Sequence, residues 1–182
     1  MVKAYKYLAV ITLVATAVIA PDVHAKKITV GVVQTVIENT LDQNGAKLIR
    51  FVGEAKAKGC QLVVFPEGAL YWPEIAVDNP TRDDIDAAIT QISEKARSEK
   101  IYVIFGTEYR LTETGSYNNR GVVYDPNGSR LVFYDKNYEV PQRFNICGIP
   151  SNLAICYDRG LSTRITSSTL SLKNLRKLAS CN

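Results

Sequence analysis

Hydrophobic and polar positions along the chain follow two periods, one typical of amphipathic helices and one of buried strands. Apolar residues recur at helical spacing in 41–58, which Gly59 follows, and in 81–100, which opens with a capping Thr81. Short apolar runs predict strands at 27–33, 61–65, 101–109 and 153–157. Two further strands, 117–124 and 130–135, flank the turn sequence DPNG and predict an antiparallel hairpin. Helices alternating with strands indicate a layered α/β domain.

The first 25 residues have the pattern of a secretory signal peptide. Lys3 and Lys6 precede an apolar segment, 8–20, and small residues lead up to a cleavage site after Ala25. The apolar segment is shorter than the roughly 18 to 20 residues of a membrane-spanning helix, although an uncleaved anchor is the alternative interpretation. We therefore expect a secreted or periplasmic protein.

Removal of 25 of the 182 residues leaves 157, enough for one domain with a hydrophobic core. The remaining net charge of about +3 is too small and too evenly spread to predict a nucleic-acid or membrane partner. His24 is the only histidine, so the mature chain has none. This excludes Ser-His-Asp and Cys-His catalysis and histidine-ligated zinc, and no CxxC spacing supports another metal site.

Three reactive side chains stand at or near the ends of predicted strands. Glu67 follows the strand LVVF, Lys136 follows RLVFYD, and Cys156 lies within LAICYD. Each has an ordinary structural explanation when taken alone: a solvated loop carboxylate, an edge-strand lysine and a small core residue. Taken together, they are positioned as a site can be preorganised on rigid strands.

The segments VVFPEG, YNNRGVVYDPNGSRLVFYDK and LAICYDRG, in this order, resemble the nitrilase superfamily of carbon–nitrogen hydrolases over 27–160. The resemblance implies a hydrolase domain over 26–160, folded as a four-layer α-β-β-α sandwich. It also implies Glu67 as general base, Lys136 as oxyanion stabiliser and Cys156 as nucleophile, with the backbone N–H of Tyr157 assisting Lys136. The implied reaction cleaves a small-molecule amide or nitrile through a cysteine thioester and requires no metal or organic cofactor.

The sequence departs from the family pattern after Lys136. Only 20 positions separate Lys136 from Cys156, and family members usually carry a second glutamate in a longer interval; Glu139 is the only acid there, and we do not assign it that role. The segment 161–182 predicts a divergent tail, with a basic helix possible at 170–178, and a sandwich incomplete at the C-terminus. The alternative function is therefore a catalytically impaired domain that acts as a binding or assembly subunit.

Two further expectations follow from the implied chemistry and fold. A nucleophilic Cys156 must be a free thiol. Among the other cysteines, Cys147 and Cys181 lie in loop-like or tail sequence and are the most plausible disulfide, whereas Cys60, between a helix end and a buried strand, is expected to be an isolated thiol. Family members commonly pair through their sheets, and an incompletely covered sheet favours association. We therefore expect a homo-oligomer.

Overall fold

A five-stranded mixed sheet lies at the centre of the fold. The structure is a computed structural model that describes residues 28–112, 114–136, 143–155 and 169–171. The pairs β1–β2 and β2–β3 are parallel, whereas β3–β4 and β4–β5 are antiparallel. The five strands stand in chain order in the sheet: β1 (Val30–Val32), β2 (Leu62–Val64), β3 (Tyr102–Arg110), β4 (Tyr117–Tyr124) and β5 (Arg130–Asp135). The hydrophobic pattern predicted a strand in each of these places.

Two amphipathic helices connect the parallel strands, and both were predicted to within one residue at either end. They are α1 (Leu41–Ala57) and α2 (Arg82–Glu99). A reciprocal cap starts α2: the Thr81 side chain accepts from the N–H of Asp84, whose carboxylate accepts from the N–H of Thr81. The predicted apolar stripe of α2 is buried along its whole length, at Ile85, Ile89, Ile92 and Ala96.

The hairpin β4–β5 forms around the predicted turn. The side chain of Asp125 accepts hydrogen bonds from the backbone N–H groups of Asn127 and Ser129, both at 2.8 Å. Gly128 follows with a φ of 76°, a conformation that glycine adopts without steric cost. The turn thereby fixes the register of β5 against β4 and with it the position of the residue that follows β5, Lys136.

Alternate residues of the central sheet face two different hydrophobic clusters. Val63 and Phe105 belong to the cluster that includes the buried stripes of both helices. Val64 and Ile104, their neighbours along the strands, belong to a second cluster with residues of a smaller sheet, including Leu153. Because successive strand side chains point to opposite faces, the described chain stacks helices, central sheet and small sheet as three consecutive layers.

The small sheet corrects the prediction for the region after 142. It contains β6 (Arg143–Ile146), β7 (Ile149–Ala154) and β8 (Thr169–Ser171), in that order. The predicted strand at 153–157 begins four residues earlier, at Ile149, and pairs with β6 in a hairpin that the sequence pattern did not predict. Cys147 and Gly148 form the two-residue turn, both with positive φ (51° and 76°), as type I′ turns require.

The prediction of a possible helix at 170–178 is wrong for the first two residues of that range. Leu170 and Ser171 lie in β8, which pairs in parallel with β7. Partners in β7 satisfy the backbone hydrogen bonds that a helix would have made locally, and the weak apolar periodicity of this segment did not oppose the strand. The remainder of that segment lies outside the described residues.

Two predictions concern the leader and the cysteines. The signal-peptide segment lies outside the described residues, and within the described ranges no helix has the length and hydropathy needed to cross a membrane. Cys60 is a buried free thiol, as expected. Cys147 is also free, in contrast to the predicted disulfide with Cys181, which itself lies outside the described part of the chain. Cys147 occupies the hairpin turn, where its N–H donates to the hydroxyl of Tyr102.

Candidate active site

The segment after β2 carries Glu67 along the edge of the central sheet. Backbone hydrogen bonds attach it to β3 at three successive points: Phe65 N–H to Ile104 O (2.8 Å), Leu70 N–H to Gly106 O (3.1 Å), and Glu108 N–H to Tyr71 O (3.0 Å). A buried strand followed by a loop with this many fixed backbone contacts holds its side chains in place. Glu67 therefore stands on a rigid support.

Two glycines allow this loop to lie directly on the sheet. A Cβ at Gly106 of β3 would come within 2.9 Å of Glu67 Cα and 2.8 Å of Gly68 N. Gly68 has a φ of 66°, and a Cβ there would overlap the ring of Trp72. Both positions exclude larger side chains, so the glycine of the PEG sequence and the glycine of β3 set the height of Glu67 above the sheet.

Glu67, Asn119 and Lys136 come together at this point. Lys136 Nζ lies 3.5 Å from Glu67 Oε1, and Nδ2 of Asn119 donates to the same oxygen at 2.5 Å. The side chains of Lys136 and Glu67 are 19% and 27% exposed, so the ion pair is largely removed from water. The other amide atom of Asn119, Oδ1, is buried and accepts no hydrogen bond from the described residues.

Strand register explains why residues so far apart in sequence converge. Asn119 of β4 is paired with Glu108 of β3, and the N–H of Lys136 donates to Asn119 O at 2.9 Å. Residues opposite each other in neighbouring strands project from the same face. Glu108, Asn119 and Lys136 thus form one row across three strands, on the face that carries Gly106 two residues before Glu108.

These neighbours and its burial change the pKa of the carboxyl group of Glu108. Burial, together with the nearby carboxylates of Glu74 and Glu67, raises the pKa of Glu108 to about 7, while the ammonium of Lys136 opposes the change. A carboxyl group that titrates near neutral pH beside a lysine and a second carboxylate is typical of a functional site rather than of a solvated surface.

A buried ion pair on the opposite face locks β4 to β5 next to this row. Arg120 Nε and Nη2 donate to the two carboxylate oxygens of Asp135, each at 2.6 Å, and each side chain is 9% exposed. The guanidinium also stacks on Tyr109, with Cζ 3.9 Å from the ring centroid. Because Arg120 follows Asn119 and Asp135 precedes Lys136, this pair fixes the backbone from which both site residues project.

The structure describes the chain leading to the predicted nucleophile as far as Ile155; Cys156 and Tyr157 lie outside the described residues. Leu153 and Ile155 pack over Gly121, where a Cβ would lie 2.3 Å from Leu153 Cδ2 and 3.3 Å from Ile155 Cδ1. Gly121 stands two residues from Asn119 in β4, about 7 Å along the strand and on the same face. Ile155 therefore lies on the face of the sheet that carries Glu67, Asn119 and Lys136.

Of the residues predicted from the sequence, the structure brings Glu67 and Lys136 together; Asn119 and Glu108, which lie beside them, were not predicted. The polar residues Asn118, Asn119 and Arg120 lie near the start of a strand that is otherwise mostly apolar, and strand alternation places Asn119 and Arg120 on opposite faces of the sheet. Glu108 is an acid within the apolar run of β3, a position where an ionised group needs a reason. These two features of the sequence were the available signals. Only the strand register shows that Asn119 and Glu108 lie side by side at the candidate site.

Comparisons with known proteins agree with this fold. Residues 29–167 match the family model described as carbon-nitrogen hydrolase. The NitN amidase of Nesterenkonia sp. AN1 is similar in structure, with 19% identity, a TM-score of 0.64, and coverage of 72% of this chain and 58% of that chain. A double mutant of the same amidase in complex with acrylamide gives 17% identity, a TM-score of 0.68, and coverage of 79% and 64%.

A third similar structure is a mutant of this amidase in which acrylamide has added to the active-site cysteine; it shares 18% identity with a TM-score of 0.64 and coverage of 72% and 58%. The chain thus spans about three fifths of the length of these amidase structures. No curated protein matches the chain significantly. The family model covers more than half of the chain, and the described layers have the nitrilase-like order of helices, central sheet and second sheet. The chain belongs to the carbon–nitrogen hydrolase family, within the nitrilase superfamily.

Proposed function

We propose that the protein hydrolyses a carbon–nitrogen bond of a small-molecule amide or nitrile, with Cys156 as nucleophile, Glu67 as general base and Lys136 as stabiliser of negative charge. The observation that carries this proposal is the ion pair between Lys136 and Glu67, at 3.5 Å, in a chain of the carbon–nitrogen hydrolase family. The similar amidase structure in which acrylamide has added at the active-site cysteine supports the choice of an amide and of a cysteine.

In the proposed first step, Glu67 accepts the proton of the Cys156 thiol, and the thiolate attacks the carbon of the amide. A thiol with a pKa near 8.5 is mostly protonated at neutral pH, so a nearby carboxylate and ammonium are both needed to supply the thiolate. The Lys136 ammonium, with the backbone N–H of Tyr157, stabilises the charge that develops on the substrate oxygen. Glu67 returns the proton to the departing nitrogen, which leaves as ammonia or an amine.

The product of that step is a thioester on Cys156. In the second step Glu67 takes a proton from water, the resulting hydroxide attacks the thioester carbon, and the carboxylic acid is released as the thiol is re-formed. Asn119 holds Glu67 through its hydrogen bond to Oε1, which leaves Oε2 to exchange protons. With a nitrile, the same attack places the negative charge on nitrogen instead of oxygen, and the same ammonium faces it.

Alkylation of the three thiols Cys156, Cys60 and Cys147 by iodoacetamide tests the activation of the nucleophile. The rate at each thiol is measured by peptide mass spectrometry between pH 6 and pH 9, and the buried Cys60 and half-buried Cys147 serve as internal controls. We expect Cys156 to react well below pH 8. Lys136→Met should move its reaction to higher pH, because the ammonium that favours the thiolate is lost.

A matched variant, Lys95→Met, removes a similarly half-buried lysine that pairs with Glu99 within α2, in the helical layer, and it should leave the alkylation profile unchanged. If Cys156 reacts no faster than Cys147 at pH 7, the nucleophile is not activated. The result would then favour the alternative of a catalytically impaired subunit that binds or assembles.

We also propose that the protein is exported and cleaved after Ala25, on the basis of its leader sequence. Amino-terminal sequencing of protein recovered from the medium or periplasm should begin at Lys26.

Sheet pairing between copies, which the family resemblance implies, makes a homo-oligomer the expected state. Light scattering on the purified protein tests this, and a mass of one chain would refute it.

A further inference from the structure

The row of Glu108, Asn119 and Lys136 contains a carboxylate that the proposed reaction does not use. Glu108 is neither a core residue nor a solvated one: it is half-buried in β3, and it lies in register with Asn119, which contacts Glu67, and beyond it Lys136. Its backbone is also fixed, because its N–H donates to Tyr71 O at the end of the loop that bears Glu67. The fold therefore brings a second carboxylate to the same ammonium from the other side of Asn119.

The proposed mechanism creates a need for such a group. When Glu67 accepts the thiol proton it becomes neutral, and Lys136 loses its ion-pair partner at the moment when the ammonium must face the developing oxyanion. A long lysine side chain without a partner has several rotamers to choose from and reorients at an entropic cost. A second carboxylate within range of the ammonium would hold it through this step.

We propose that Glu108 is a positioning residue of the site, a second carboxylate that holds the Lys136 ammonium in place while Glu67 carries the transferred proton. The inference rests on the proposed hydrolase function, which it deepens. Glu108 acts through Lys136 and contacts neither the substrate nor the reacting atoms. No proton is gained or lost overall: Glu67 takes up the thiol proton, and Glu108 contributes only its charge.

The electrostatics of Glu108 agree with this role. The carboxyl group is half-buried, and three charged groups act on it: Glu74 and Glu67 from the segment after β2, and Lys136 from the end of β5. With Glu67 ionised, its charge helps to keep the pKa of Glu108 near 7; when Glu67 takes up a proton, that repulsion disappears and the pKa of Glu108 falls. Glu108 therefore ionises more fully in the step in which Lys136 needs it.

The first test is a titration that does not depend on turnover. The carboxyl carbon of Glu108 is followed by NMR against pH, with Glu108→Gln to assign the signal. We expect its midpoint to rise in Lys136→Met and to fall in Glu67→Gln, with no change in Lys95→Met. An unchanged midpoint in both site variants would overturn the inference even in an active enzyme.

The second test uses steady-state kinetics. Glu108→Gln should lower kcat by about tenfold to a hundredfold with KM changed by less than about threefold, because a group that positions a charge stabiliser acts on the transition state. We expect wild-type activity to fall as pH falls through 7 because Glu108 is protonated, and Glu108→Gln should not show this loss. Glu108→Asp, which keeps the charge, should restore part of kcat and the pH dependence.

Failure of the hydrolase function and failure of the Glu108 role give different results. If wild-type protein shows no turnover while the titration shows both expected shifts, the hydrolase function is wrong and Glu108 is only an electrostatic neighbour of Lys136, which also ends its positioning role. If the wild type turns over and Glu108→Gln retains its kcat and pH profile, the function stands and the role of Glu108 is refuted.

Discussion

Removing one partner of the buried ion pair between Arg120 and Asp135 should destabilise the protein more than removing one partner of an exposed pair in the described structure, and Asp135→Asn tests this. Both side chains are 9% exposed, and two hydrogen bonds of 2.6 Å join them. Removing one partner of such a pair leaves a buried charge uncompensated and typically costs about 3 to 5 kcal/mol. Asparagine keeps one acceptor oxygen for the guanidinium, so we expect the lower end, about 3 kcal/mol.

Urea unfolding followed by circular dichroism gives the free energy of unfolding of both proteins, provided that the slope with denaturant is unchanged. The control is Glu54→Gln, which disrupts the pair with Arg50 on the surface of α1, where the side chains are 58% (Arg50) and 45% (Glu54) exposed. An exposed helix pair is worth about 0.3 to 0.5 kcal/mol. If Asp135→Asn costs less than about 1 kcal/mol, the pair does not lock β4 to β5.

Three other substitutions test separate parts of the account. Gly106→Ala places a Cβ against the backbone of Glu67 and should lower the free energy of unfolding by about 1 to 3 kcal/mol and remove most of the activity. The control, Gly45→Ala, lies inside α1 with its nearest contact at 3.9 Å and should be neutral or stabilising. Equal effects of the two substitutions would contradict the close approach of Gly106 to Glu67. Gly148→Ala should destabilise by about 1 kcal/mol because its φ is 76°, and no loss in a thermal melt would refute the turn. Glu108→Gln should be more stable than the wild type above pH 7 but not at pH 5. The pKa of Glu108 is about 7 in the folded protein against an ordinary value of 4.5 in the unfolded chain, so the stability that protonated Glu108 gives the wild type is lost as pH rises through 7. A difference in melting temperature that does not depend on pH would contradict the burial of this carboxyl group.

The elements that the sequence predicted are those whose signals are local. The stripe of α2, its Thr81 cap and the DPNG turn are each contained within a few residues, so spacing alone reveals them. The hairpin β6–β7 was missed because Cys147 adopts a positive φ, which few non-glycine residues do. Strand β8 depends on pairing with β7, more than ten residues away in sequence, and no local pattern records that contact.

The candidate site divides in the same way. Glu67 and Lys136 stand in motifs that the sequence displays, and the structure brings their side chains to 3.5 Å of each other. Asn119 and Glu108 take part because of the register between β3 and β4, which the turn lengths and buried faces determine together. The residues proposed to react are therefore easier to recognise from the sequence than the residues that hold them in place.

The central claim, that Cys156 cleaves amides with the help of Glu67 and Lys136, is tested most directly by ammonia release from a panel of small aliphatic amides. The purified wild-type protein is compared with Cys156→Ala and with Cys147→Ser, a thiol in the β6–β7 turn, as the matched control. We predict turnover in the wild type and in Cys147→Ser, and none in Cys156→Ala. Turnover that survives in Cys156→Ala, or its absence from a folded wild-type protein across the whole panel, would contradict the account.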